Sequence, residues 1–255
     1  MWFALTREIS SAFERCLLTH VPRTAIDVDR ARAQHDAYEW ALVELGCTIR
    51  RLDSTADMSD SVFIEDTAVV LPQGAVIARP GAESRRAETG LVAEALGRFG
   101  LRLRDIEEPG TLDGGDVLVV GRQVFVGAST RTNAAGIDQL RRILTRIHYT
   151  LRSVPVEQCL HLKSAVTVVG PDTLLINRAW VPADAFAGLT LIDADPDEPH
   201  AANALLVGET VVCADAFPRT RARLERHGLR VKSVAVDELA KAEGGVTCCS
   251  LIFER

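Results

Sequence analysis

Two adjacent thiols near the end of the chain, one histidine and a set of carboxylates are the side chains best suited to chemistry in this sequence. They fall in four clusters: Asp60-Ser61-Val62-Phe63-Ile64-Glu65-Asp66, Thr111-Leu112-Asp113-Gly114-Gly115-Asp116, Leu160-His161-Leu162-Lys163-Ser164 and Gly244-Gly245-Val246-Thr247-Cys248-Cys249-Ser250. A thiol, an imidazole and acids held together are the parts of nucleophilic catalysis, in which the thiolate attacks and the imidazole moves protons. Singly, each cluster is weak. Glycine pairs and acids before a strand usually make turns, a lone histidine is usually structural, and a cysteine in an apolar strand is usually a small core residue. The six cysteines (Cys16, Cys47, Cys159, Cys213, Cys248, Cys249) lack C-x-x-C spacing, which argues against a zinc site or a disulfide framework.

The elements that must position these clusters repeat along the chain. Ala68–Leu71 and Ala75–Ala78 flank Pro72-Gln73-Gly74 as a hairpin. A helix follows with Leu91, Val92, Ala95, Leu96 and Phe99 on one face, then Leu101–Ile106 alternates as a strand. The same ββαβ order recurs from Asp116, with a helix carrying Ile137, Leu140, Ile143, Leu144 and Ile147 and a strand from Tyr149 to Val156. Further hairpins are expected at Gly170-Pro171-Asp172 and Gly208-Glu209. Their helices are a short one near 182–187 and one from Arg219 to His227, the latter stopped by Gly228. The chain start supplies a fifth helix, with Ala33, Ala37, Trp40, Ala41 and Leu45 assigned to its buried face, and the strand Thr48–Leu52.

Repeats of this kind close radially and so manage their open edges, with an ordinary α+β sandwich as the alternative. A ring of units has an axial channel whose mouth is lined by the hairpin-to-helix joins and strand starts, and the four clusters sit at such junctions. An extended Val246–Phe253 would put Cys248 on one face with Ser250 and Cys249 on the other with Leu251 and Phe253. The second face is larger and more apolar, which makes Cys249 a core residue and Cys248 the exposed thiol.

Composition bounds the function. The chain has 255 residues, 47% of them hydrophobic, with a net charge of −6 and its charges interspersed. That excludes a basic stripe for nucleic acid and is compatible with a small cationic ligand. The start of the chain is too short in apolar residues for a signal peptide, and no stretch approaches a membrane span, so no membrane partner and a reducing cytoplasm are expected.

The four clusters, together with Arg79-Pro-Gly-Ala-Glu-Ser-Arg-Arg86, Arg131-Thr-Asn133 and Ala201-Ala-Asn203, resemble the dimethylarginine dimethylaminohydrolase family in order and nearly end to end. The resemblance is weakest over the first two dozen residues and around 180–196. It implies an α/β fold, the five-bladed pentein propeller of ββαβ units around a central channel, as a single catalytic domain over 1–255. It implies Cys248 as nucleophile, His161 as general acid and base, and Asp113 beside the histidine and the guanidinium. Asp66 would hold guanidinium N–H groups, with Glu65 close by in the substrate site, and Arg85 and Arg131 would hold the substrate α-carboxylate. Asp60 and the backbone carbonyls near Leu18 and Ala242 would receive the α-amino group. No cofactor or metal is implied, and a monomer or a homodimer is allowed.

Such an enzyme would take a small cationic amino acid, a mono- or dimethylated arginine, and release citrulline and an alkylamine. A guanidinium carbon is a poor electrophile because its charge is delocalised, and carboxylates can fix the planar group by paired hydrogen bonds. A free thiol is mostly protonated at neutral pH, and a bound guanidinium beside it would favour the thiolate. Arginine deiminases are longer, agmatine deiminases would waste an arginine clamp, and amidinotransferases pass the group to an amine. A non-catalytic binding protein of the same fold would not need Cys248, His161 and Asp113 together.

Overall fold

A computed structural model describes residues 1–255. The chain begins with strand β1 (Trp2–Arg7), helix α1 (Val28–Glu44) and β2 (Cys47–Leu52). The next unit is β3 (Ala68–Leu71), β4 (Gly74–Ile77), α2 (Thr89–Arg98) and β5 (Leu103–Asp105). The following one is β6 (Val117–Val120), β7 (Gln123–Ala128), α3 (Ala134–Thr145) and β8 (Thr150–Pro155). One helical turn, α4 (Leu162–Ala165), leads into β9 (Val166–Gly170), β10 (Thr173–Ile176) and β11 (Thr190–Asp193). The last units are β12 (Ala204–Val207), β13 (Thr210–Ala214), α5 (Pro218–Arg226) and β14 (Arg230–Val234), then the short α6 (Asp237–Ala240) and β15 (Leu251–Glu254).

Every unit has the same three-stranded sheet: an antiparallel hairpin whose second strand pairs in parallel with the strand after the helix, a connection that between β10 and β11 is only the short 3-10 helix Ala183–Phe186. A right-handed crossover through a helix is the standard way to make such a parallel pair. The fifth sheet, β15-β1-β2, obeys the same order but joins the two ends of the chain, with Leu5 opposite Leu251 and Trp2 opposite Glu254. There the Met1 ammonium donates to the Arg255 carbonyl at 2.7 Å where the other units have a turn. Five sheets in one repeated order make the expected five-bladed propeller, with β3, β6, β9, β12 and β15 as the first strands of their units.

The core fills the spaces between sheets and helices. Around α1 it gathers Phe13, Tyr38, Leu42, Phe63, Val246 and Cys249, and α3 closes Leu140 and Leu144 over Val124 and Val126. No helix is long and apolar enough to cross a membrane.

Two expectations are corrected. The α1 helix exists, but Ala33, Ala37 and Trp40 are exposed, and its buried face carries Gln34, His35, Tyr38, Glu39 and Leu42. Polar residues are inside because partners from distant segments meet them: Thr6 and Arg51 reach Glu39, and Gln34 is paired with Asp237. The segment before β15 is a turn rather than a strand, so strand alternation does not separate the two cysteines. They nevertheless differ, Cys249 being fully buried and Cys248 partly exposed. In a tight turn successive side chains splay in different directions, which produces the separation by another route.

Candidate active site

Each first strand of a unit is preceded by a single helical or irregular turn, and these five turns meet at one mouth of the ring. They carry Asp66 before β3, Asp113 and Asp116 before β6, His161 and Lys163 before β9, Asn203 before β12 and Cys248 before β15. The glycine pair of the second turn is required by packing. A Cβ on Gly114 would strike the Glu65 carbonyl, and one on Gly115 would lie 2.7 Å from both Asp66 Oδ1 and His161 Nδ1.

His161 is buried and held on both sides by carboxylates. Its Nε2 is 3.0 Å from Asp113 Oδ2, and its Nδ1 is 3.6 Å from Asp66 Oδ1. Asp113 is fixed in turn, its other oxygen accepting the Gly81 N–H at 2.8 Å and its own N–H donating to Thr132 Oγ1. Thr132 passes its hydroxyl hydrogen to Asp116, which also accepts from Ser129 and from the Leu162 N–H beside the histidine. Burial alone would lower the pKa of His161, but Asp66, Asp113 and Asp116 together outweigh it and raise the pKa to about 9. The imidazole therefore stands protonated at neutral pH. Burial pushes Asp116 up to about 6.

Cys248 lines the same pocket as His161. Its Sγ is 3.3 Å from the Gly245 N–H, which donates to it, and its carbonyl accepts the Glu65 N–H at 3.1 Å. Tyr38, buried in α1, donates to the Val246 carbonyl at 2.9 Å and meets Ser250 Oγ at 2.6 Å, pinning the turn from behind. Burial, with Glu65 and Asp66 nearby, raises the Cys248 thiol to about 12. The sulfur thus stands as a thiol at neutral pH.

A small pocket of 20 Å³ brings together Asp60, Asp66, Arg85, Arg131, His161, Ala242 and Cys248, seven of the residues singled out in the sequence. Leu18 is half-buried against the core, and its neighbour Leu17 lines the pocket instead. Asp60 Oδ1 accepts the Leu17 N–H at 2.9 Å, tying this segment to the site. Glu65 faces away: it is bonded to Lys163 at 2.7 Å and Thr247 at 2.8 Å, and lines a separate space with the apolar side chains of the first strands. Arg131 is half-buried, with one nitrogen 3.4 Å from Thr19 Oγ1.

Arg85 is buried and spends most of its N–H groups inside the protein. It reaches Asp66 at 2.5 Å, the Phe63 and Asp60 carbonyls at 2.9 and 3.2 Å, and Glu88 at 2.8 Å. Glu88, 1% exposed, is a partner that sequence reasoning missed, and its three-residue spacing from Arg85 was the signal available. Burial opposes the Arg85 charge, but Glu88 and Asp66 keep it firmly protonated. Asp116, Lys163 and Asn203 lie within the motifs of the sequence, which give them no role. Lys163 neutralises Glu65, and Asn203 bonds Thr247 next to the cysteine.

Asp66, Asp113 and His161 offer ligand atoms within 4.8 Å of one another, a spacing that could hold a metal ion. Their oxygens are already claimed by Arg85 and by the Gly115 and Gly81 N–H groups. The buried guanidinium supplies the compensating charge, so the set is built as an acid–base cluster.

The family model for arginine deiminase matches residues 53–200. The N(G),N(G)-dimethylarginine dimethylaminohydrolase of Streptomyces coelicolor is 42% identical over 248 residues, covering 97% of this chain and 95% of its own length. The protein of that name from Pseudomonas aeruginosa is 38% identical over 228 residues, covering 89% and 90%. A solved structure of the dimethylarginine dimethylaminohydrolase of Pseudomonas aeruginosa, a cysteine-to-serine mutant complexed with citrulline, superposes with a TM-score of 0.92 at 35% identity, covering 98% of both chains.

Proposed function

The chain belongs to the dimethylarginine dimethylaminohydrolase family, and on that premise we infer that it hydrolyses Nω-methylated arginine to citrulline and an alkylamine through a covalent bond to Cys248. The observation that carries this reading is the shared pocket. A thiol, a protonated histidine held 3.0 Å from a buried aspartate, and Asp60, Asp66, Arg85 and Arg131 surround one space. The citrulline bound in the related structure has the product's ureido group.

In this reading Asp66 pairs with the guanidinium and opposes its charge. Arg131, with the remaining N–H of Arg85, takes the α-carboxylate, and Asp60 with the Ala242 carbonyl takes the α-ammonium. Seating a cation beside Cys248 offsets the carboxylates that hold its thiol up at about 12, and the proton leaves to solvent. The thiolate forms the S–C bond. The C–N bond to the alkylated nitrogen then breaks, its electron pair staying on nitrogen with the proton that His161 donates. His161, now neutral, takes a proton from water as the water adds to the thiouronium carbon. The C–S bond breaks with its electron pair returning to sulfur as the thiolate, and the added oxygen gives its remaining hydroxyl proton to solvent and becomes the ureido carbonyl. The substrate begins as a cation, so attack leaves no anionic oxygen and acids are suitable walls.

The test is citrulline release from asymmetric dimethylarginine, beside arginine and agmatine, by the wild type and the Cys248→Ser and Cys249→Ser proteins. Turnover lost in the first variant and kept in the second is expected. Turnover of arginine or agmatine instead would make the protein a deiminase, and no turnover by folded, reduced protein would favour a binding role.

A further inference from the structure

Asp116 is a buried carboxylate that takes no step in the reaction above. It is 0% exposed and does not line the substrate pocket. Three neutral donors converge on it: Ser129 Oγ at 2.6 Å, Thr132 Oγ1 at 2.7 Å and the Leu162 N–H at 2.9 Å. Each donor stands one link from a residue of the site. Ser129 Oγ accepts the Arg131 N–H at 3.0 Å, Thr132 Oγ1 accepts the Asp113 N–H at 3.1 Å, and Leu162 follows His161 in the chain. The packing around the carboxylate is tight: a Cβ on Gly127 would lie 2.4 Å from Asp116 Oδ1.

We propose that Asp116 is a positioning residue for the reaction: its ionised carboxylate holds His161, Asp113 and Arg131, carried on separate segments, in the register that turnover requires. The proposal rests on the hydrolase reading above. Two oxygens that receive only donors suit a carboxylate and not its acid. A proton on Oδ1 would oppose the Leu162 N–H, whose direction the backbone fixes. On Oδ2 it finds Ser129 Oγ already accepting two backbone N–H groups, from Arg131 and Thr132. It must then turn the Thr132 hydroxyl away, which loosens the link to Asp113.

Charge ties the same residues together. The charged groups on the elements packed around Asp116 are Asp113 on its own turn, Glu65 and Asp66 before β3, Arg131 after β7, and His161 and Lys163 before β9. Lys163 is taken by Glu65, and Arg131 reaches toward Thr19, so protonated His161 is the cation that bears on Asp116. Burial, opposed by that attraction, leaves Asp116 at about 6. Burial, and then Asp116 itself, pushes the nearby Cys159 thiol up to about 12, so Cys159 adds no charge. When His161 gives its proton to the leaving amine, Asp116 loses its counter-charge. That favours the return of a proton from water to His161 in the second half of the reaction.

The experiment records kcat and KM for asymmetric dimethylarginine across the pH range in the wild type, Asp116→Asn and Ser129→Ala, with thermal melting to check that each is folded. The wild type is expected to lose activity on the acid side with a midpoint near pH 6. Asp116→Asn should lower kcat at neutral pH by about 10- to 10²-fold and abolish that acid limb. It should also move the basic limb down from about 9 by roughly one pH unit. Ser129→Ala removes a donor from Asp116 and an acceptor from the Arg131 backbone. It should therefore raise the acid midpoint by roughly one pH unit and raise KM, and it carries the test if the asparagine variant does not fold. A residue that only supports packing would scale the profile down without moving either limb. That result in folded variants, or a wild type without an acid limb near pH 6, overturns the positioning role and leaves the hydrolase reading intact. No turnover of methylated arginine by the folded wild type overturns both.

Discussion

Two buried histidines sit beside carboxylates in this protein, and they behave in opposite ways. His161 lies in the ring mouth, 3.0 Å from Asp113, and its pKa is raised to about 9. His35 lies in α1, 3.7 Å from Glu39, and its pKa is lowered to about 4. Both are at least nine-tenths buried, so desolvation disfavours the imidazolium in each. The difference is the charge left over. Three aspartates bear on His161, and the one nearby cation that reaches them, Arg85, is shared with Glu88. The carboxylate beside His35 is already claimed by Arg51 and Thr6, and His35 Nε2 has no partner at all. A buried imidazole next to an acid is thus a proton donor only where negative charge is in excess.

Breaking that contrast gives the largest expected effect. His161→Ala should lower kcat by about 10²–10⁴-fold, the range for loss of a general acid and base. His35→Ala should lower the melting temperature and leave kcat near the wild-type value. Equal losses of kcat in both variants would show that activity follows packing and not charge. The next effect is on the pH profile. In Asp113→Asn the pKa of His161 should fall from about 9 by roughly one to three pH units, and the basic limb of kcat should move down with it. A basic limb that does not move would assign the limb to another group.

A smaller effect concerns stability against pH. The folded pKa of His161 lies above its unfolded value of about 6.5. Its stabilisation is therefore complete below about pH 6.5 and is lost as pH rises through about 9. His35 has a depressed folded pKa, so its contribution is present above about pH 6.5 and is lost as pH falls through about 4. Melting curves of the wild type against each alanine variant should converge on the alkaline side for His161 and on the acid side for His35. The smallest expected change is in Arg51→Leu, which releases the Glu39 carboxylate and should raise the His35 pKa while leaving turnover unchanged. An unmoved His35 titration would mean that Arg51 does not set its field.

The repeat made much of this legible in the sequence. Hairpins at Gly74, Gly170 and Gly208 and the α3 face from Ile137 to Leu144 follow from local rules, and the clusters fall before first strands because those turns face one mouth. What escaped depends on partners far along the chain. The buried face of α1 is not legible in the sequence because Gln34, His35 and Glu39 look like a solvent stripe until Asp237, Thr6 and Arg51 are placed against them. Glu65 and Asp66 are neighbours in one short turn, yet one faces Lys163 and the other His161, a divergence that spacing does not announce. Glu88 carries no motif, and its importance comes from being closed in with Arg85.

His161 is already protonated when the substrate arrives, held so by the three aspartates around it. The direct measurement is a titration of the imidazole resonances of both histidines by NMR in one sample of the unliganded protein. Half-protonation is expected near pH 9 for His161 and near pH 4 for His35. Two ordinary titrations near pH 6.5 would contradict it, since the aspartates around His161 would then confer no excess charge.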